Sequence, residues 1–115
     1  MLERIELGAR MHQWHSSMWD PIYMVGSLYY SGDKYPDKDI VQHALDNLLK
    51  LIDNNQRMLA GEKVSAPTAY GSTDDLRKFA GYDDGELVEN IEDLTEIVES
   101  LENIMEEDYA AEKSL

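Results

Sequence analysis

Residues 83–112, DDGELVENIEDLTEIVESLENIMEEDYAAE, decide the fold. Leu87, Ile91, Leu94, Val98, Leu101 and Met105 recur at steps of four and three, the spacing of one apolar line along an α-helix. Val88, Ile97 and Ile104 flank that line and widen it to a face that must be buried. Thirteen acidic residues fill the rest, and no Lys, Arg or His interrupts them before Lys113. The spacing predicts a helix over 84–109. Asp83 and Glu86 sit at its start with capping-box spacing, where negative charge meets the positive end of the helix dipole. Glu106, Glu107 and Asp108 sit at the opposite end, where cations would be favoured. Glu89 with Asp93, Glu92 with Glu96, and Glu102 with Glu106 are like-charge pairs four residues apart. Each is unfavourable by a few tenths of a kcal/mol, roughly.

Working backwards, residues 37–60 form a second strong helix. Its line is Val41, Leu45, Leu48, Ile52, Asn55 and Leu59, widened by Ile40, Ala44, Leu49 and Leu51. Asp37 can cap it and Gly61 can close it. Asn55 is the one polar residue on the line. Residues 2–30 also carry a helical pattern, but Pro21 falls inside it. Asp20-Pro21 reads as an N-cap followed by proline at the first helical position, so this segment is two helices or one sharply kinked helix. Residues 61–72 read as loop. Ser72 or Thr73 can cap a short helix over 73–80, anchored by Leu76 and Phe79. The expected architecture is a single all-α domain over 1–115, a small helical bundle of four to five helices with a long acidic C-terminal helix.

Composition narrows the function. The chain has 115 residues, no cysteine and a net charge of −14. Residues 1–60 carry six Lys or Arg against eight Asp or Glu, whereas residues 61–115 carry four against sixteen. Direct binding to nucleic acid or to an anionic membrane needs a basic surface and is not expected. No run of apolar residues is long enough to span a bilayer. The lack of cysteine suits a cytoplasmic protein.

Catalytic motifs are weak. His12 and His15 lie about one helical turn apart and His43 could join them, but no further ligand pattern supports a metal. The Glu86, Glu89, Glu92, Glu96, Glu99, Glu102 series resembles the carboxylate spacing of helical Mg²⁺-dependent nucleotide pyrophosphohydrolases. Those enzymes need a matching acidic motif on another helix to gather oxygens around the ion. Asp46 and Asp53 are too sparse to supply it. The chain is therefore expected to be no enzyme and to use no metal or cofactor.

The acidic segment instead suits a basic partner. Ten acidic residues from Glu86 to Asp108 give about one charge per 3.4 Å of helix, close to the spacing along one strand of duplex DNA. In length, helical character and C-terminal acidity the chain is similar to phage-encoded DNA-mimic inhibitors of restriction and defence enzymes, a group that includes anti-CRISPR-like proteins. The expected function is that of a non-catalytic acidic interaction protein that mimics nucleic acid and inhibits a basic nucleic-acid-processing protein. Glu89, Glu92, Asp93, Glu96, Glu99, Glu102 and Glu106 would form the charge array. Trp19, Tyr23 and Tyr30, from an N-terminal region rich in aromatics, would be its anchors. The alternative is a structural or adaptor protein that self-associates, for instance as a homodimer, through its helical seams.

Overall fold

The computed structural model describes residues 2–14, 20–32, 36–68 and 71–109. Five α-helices carry the fold: α1 (Arg4–Met11), α2 (Pro21–Tyr30), α3 (Lys38–Leu59), α4 (Leu76–Ala80) and α5 (Asp84–Asp108). A 3-10 turn (His12–Trp14) follows α1, and a two-stranded hairpin, β1 (Ala66–Thr68) with β2 (Gly71–Thr73), precedes α4. The all-α bundle is as expected, with α2, α3 and α5 starting within a residue of the positions read from the sequence.

Local chemistry sets the helix starts. The Asp20 carboxylate accepts from Ile22 N–H with Pro21 at the first turn, and of the two arrangements the sequence allowed, separate helices or one kinked helix, α1 and α2 are separate helices. Asp37 caps α3 by accepting from Asp39 N–H, and Asp83 caps α5 by accepting from Glu86 N–H. For α4 the cap is Asp75, which accepts from Lys78 N–H, rather than Ser72 or Thr73. Thr73 Oγ1 instead accepts from Asp75 N–H. Gly81 then ends α4 at φ 72°, a left-handed position that glycine adopts at no steric cost.

The main core joins Leu7 and Met11 of α1, Ile22, Val25 and Tyr29 of α2, and the seams of α3 and α5. On α5 the buried face is rotated slightly from the expected line. Ile97 and Ile104 are buried, whereas Ile91 and Met105 are only partly so. Asn55 is buried on the α3 seam and fully engaged: its Nδ2 donates to Leu51 O and its Oδ1 accepts from Asn90 Nδ2 at 3.1 Å. A smaller cluster of Met58, Val64 and Leu87, with Leu76 and Tyr82 against it, closes the far end. Arg77 holds that end together, donating to Met58 O, Tyr82 O and Asp84.

Two expectations are corrected. The 61–72 loop contains the short hairpin, which pairs Ala66 with Thr73 and Thr68 with Gly71. Phe79 is no anchor, being 55% exposed; Leu76 takes that role alone. The close crossing of α1 and α2 rests on glycines: a Cβ on Gly8 would lie 2.5 Å from Gly26 O and 2.6 Å from Tyr30 N. The two helices can approach so closely only because neither side chain intervenes there.

Candidate acidic interface

Helix α5 sorts its carboxylates by the side of the helix on which they fall. Glu89, Glu92, Glu96, Glu99, Glu102 and Glu106 are all exposed. They follow one another at steps of three and four, so at 3.6 residues per turn they form one continuous outward stripe. Among the described residues none of the six takes part in an ion pair.

Asp93 belongs to a different face. Its Oδ1 accepts from Arg10 of α1, and its Oδ2 accepts from the Trp14 indole N–H at 2.8 Å. Asp108 is likewise internal, with a nearly buried carboxylate that takes both terminal nitrogens of Arg4. That hydrogen-bonded pairing raises the Arg4 pKa above its ordinary value. The apparent misfit of an acidic residue at the C-terminal end of α5 is thus answered from α1. Leu2 N–H donates to buried Ser100 between the two ion pairs, so α1 is stitched to α5 along one line.

This sorting changes the charge density. Without Asp93 and Asp108, eight acidic residues remain from Glu86 to Glu107, about one per 4 Å of helix. The array is sparser than a DNA strand.

The aromatic residues lie on the α1–α2 hairpin. Tyr23 is half-buried and stacks on His12 with ring centroids 4.9 Å apart, and Tyr30 is 58% exposed with its ring 6.1 Å from the same imidazole. His12 Nε2 is 2.9 Å from Ser27 Oγ. Trp19 lies outside the described residues, as does His15. Among the described residues no group of three or more His, Asp or Glu is arranged to hold a metal ion. No helix among them is long and apolar enough to cross a membrane.

Tyr29 was not singled out by the sequence. It is fully buried in the core beneath Arg4, whose guanidinium carbon lies 5.7 Å from the ring centroid. Among the described residues its hydroxyl has no hydrogen-bond partner, and burial pushes the phenol pKa well up, with Tyr109 and Asp108 adding to the shift and Arg4 opposing it. Burial of an unpaired hydroxyl is a structural cost, with no reactive partner beside it. No family model, no curated protein and no solved structure matches this chain.

Proposed function

We propose that this is a non-catalytic acidic interaction protein whose α5 stripe docks on the basic surface of a partner protein. In its finer form the partner binds nucleic acid, and the stripe inhibits it by occupying the groove that would hold the phosphate backbone. The setting proposed is the cytoplasm. One observation carries the reading: six exposed carboxylates stand in a continuous stripe with no paired cation among the described residues, while Asp93 and Asp108 of the same helix are ion-paired inside. Long-range attraction of such a stripe would speed encounter with a basic partner.

Self-association through the helical seams has no comparable support, because the α3 and α5 seams bury against each other and against α1 and α2. The test is capture from a lysate of the source organism, with wild type beside Glu92→Lys/Glu96→Lys/Glu99→Lys. A basic nucleic-acid-binding protein held by wild type, lost with the variant and released by high salt is the expected result. Equal capture by both forms would refute it.

A further inference from the structure

Helices α3 and α5 lie antiparallel, and two hydrogen bonds at opposite ends fix their register. Asn90 Nδ2 donates to Asn55 Oδ1 near one end, and Tyr109 Oη donates to Pro36 O at the other. Both crossings belong to the same register. Counting along from either one brings Asp53, Asp46 and Asp39 of α3 level with Glu92, Glu99 and Glu106 of α5, and all six are exposed. Each row repeats every seven residues, about 10.5 Å along the helix.

A groove of about 380 Å³ runs between the helices near Tyr109. Leu45, Met105 and Tyr109 supply its apolar lining, and Glu102 and Glu106 border it on the α5 side. On the α3 side Gln42 borders it and donates to Asp46 at 3.1 Å, so Asp46 stands next outward from the groove wall on the exposed side of α3. Lys38 is the cation among the lining residues. Two turns beyond Gln42 on the same line of α3, Leu49 is 47% exposed.

We propose that this groove receives a basic amphipathic helix of a partner protein. The occupant is about three heptads long, with a narrow apolar stripe toward Leu45, Leu49 and Met105 and Lys or Arg every seventh residue along both edges. This rests on the acidic-interface reading above and names the structural class of its partner. The argument is charge complementarity together with period. A helix presents an edge residue every seven positions, about 10.5 Å, which matches the rungs of both rows. An extended polybasic segment advances about 3.3 Å per residue and has no reason to prefer that interval. A second copy of this chain, at net charge −14, is repelled by the two rows. Helices of the proposed kind also enter the major groove of DNA between its phosphate rows, which links the groove to competition with nucleic acid.

The probe is a fluorescein-labelled synthetic peptide of roughly 24 residues, with Leu on the narrow stripe and Lys on the flanking heptad positions. Its control has the same composition with the lysines moved off those edges. Anisotropy with the full chain should show the patterned peptide binding about ten-fold tighter than the control, since six exposed rim pairs, each worth only a fraction of a ten-fold step, together amount to about that factor. Asp39→Asn/Asp46→Asn/Asp53→Asn should cut the advantage to about three-fold by removing one of the two rows, and Leu49→Glu should weaken binding of the patterned peptide, with circular dichroism confirming that these exposed substitutions leave the fold intact. Equal binding of both peptides, unchanged by the aspartate variant, would overturn the helix groove while leaving the α5 stripe as the docking element. No binding of either peptide, with lysate capture still dependent on Glu92, Glu96 and Glu99, would also overturn it. Dimerisation broken by Leu49→Glu would assign the groove to a second copy instead. If lysate capture and both peptides fail together, the acidic-interface reading itself falls.

Discussion

Replacing Asp93 by Ala separates structural from free carboxylates on α5. In the folded chain Asp93 receives Arg10 and the Trp14 indole N–H, linking α1 and the 3-10 turn to α5. A charged hydrogen bond to a buried group is worth about 1.5–3 kcal/mol. Here the Arg10 and Asp93 side chains retain 29% and 21% exposure, so water replaces part of that interaction. An allowance of about 1 kcal/mol for the ion pair and about 1 kcal/mol for the indole bond is reasonable. The expected cost is therefore about 2 kcal/mol, or a fall in Tm of about 8 °C for a domain of this size.

Urea unfolding followed by far-UV circular dichroism measures this directly, provided the m-value is unchanged. Glu96→Ala is the control three residues away: its carboxylate is exposed and has no ion pair among the described residues, so stability should stay within about 0.5 kcal/mol. Partner affinity should show the reverse order, with Glu96→Ala weakened and Asp93→Ala nearly unaffected. Asp93→Ala as stable as wild type would refute the assignment of Asp93 to the fold.

Two further substitutions test the packing. Gly8→Ala forces a Cβ against the backbone of Gly26 and Tyr30; the overpacking cost of about 3 kcal/mol should exceed the roughly 1 kcal/mol gained in helix propensity, and a more stable variant in urea would contradict the close crossing. Tyr29→Phe removes a buried hydroxyl that has no partner among the described residues, so stability at neutral pH should hold or rise by about 1 kcal/mol. The raised Tyr29 pKa also gives a pH signature: the unfolded phenol ionises near pH 10 while the folded one keeps its proton, so this contribution is intact below about pH 10 and declines as pH rises further. Thermal melts from neutral pH to about pH 11 should show a shallower decline above about pH 10 in Tyr29→Phe than in wild type; identical slopes there would count against the buried phenol.

Helices α3 and α5 were legible because their apolar residues repeat over six turns with charge on the opposite side, and Asp20-Pro21 marked the start of α2 by its own local chemistry. The hairpin was not legible: Ala66-Pro67-Thr68 and Gly71-Ser72-Thr73 are too short to alternate, and one contains proline. The meeting of Gly8 and Gly26 left only a faint signal, two glycines inside helices where glycine is disfavoured. Asp93 and Asp108 left a better one. Each lies one turn beyond Ile97 or Ile104, so both fall on the buried flank of α5 and bracket it. What the sequence could not supply was the partner, because Arg4 and Arg10 reach them only once α1 is packed against that flank.

The remaining glutamates can be tested for the opposite energetic character. Glu92 and Glu96, and Glu102 and Glu106, are four residues apart on the exposed stripe, with no paired cation among the described residues. Each such pair disfavours the helix by a few tenths of a kcal/mol, roughly. Neutralising Glu92, Glu96 and Glu99 to Gln should therefore raise stability by about 0.5 kcal/mol at low salt, and the gain should shrink as salt screens the repulsion. The same variant should bind a basic partner more weakly, because the repulsion within the stripe is what approaching cations relieve. Neutralising Asp93 should instead lower stability and leave partner binding nearly unchanged. A triple-Gln variant less stable than wild type at low salt would mean that the glutamates stabilise the fold, and the docking role assigned to the stripe would lose its energetic basis.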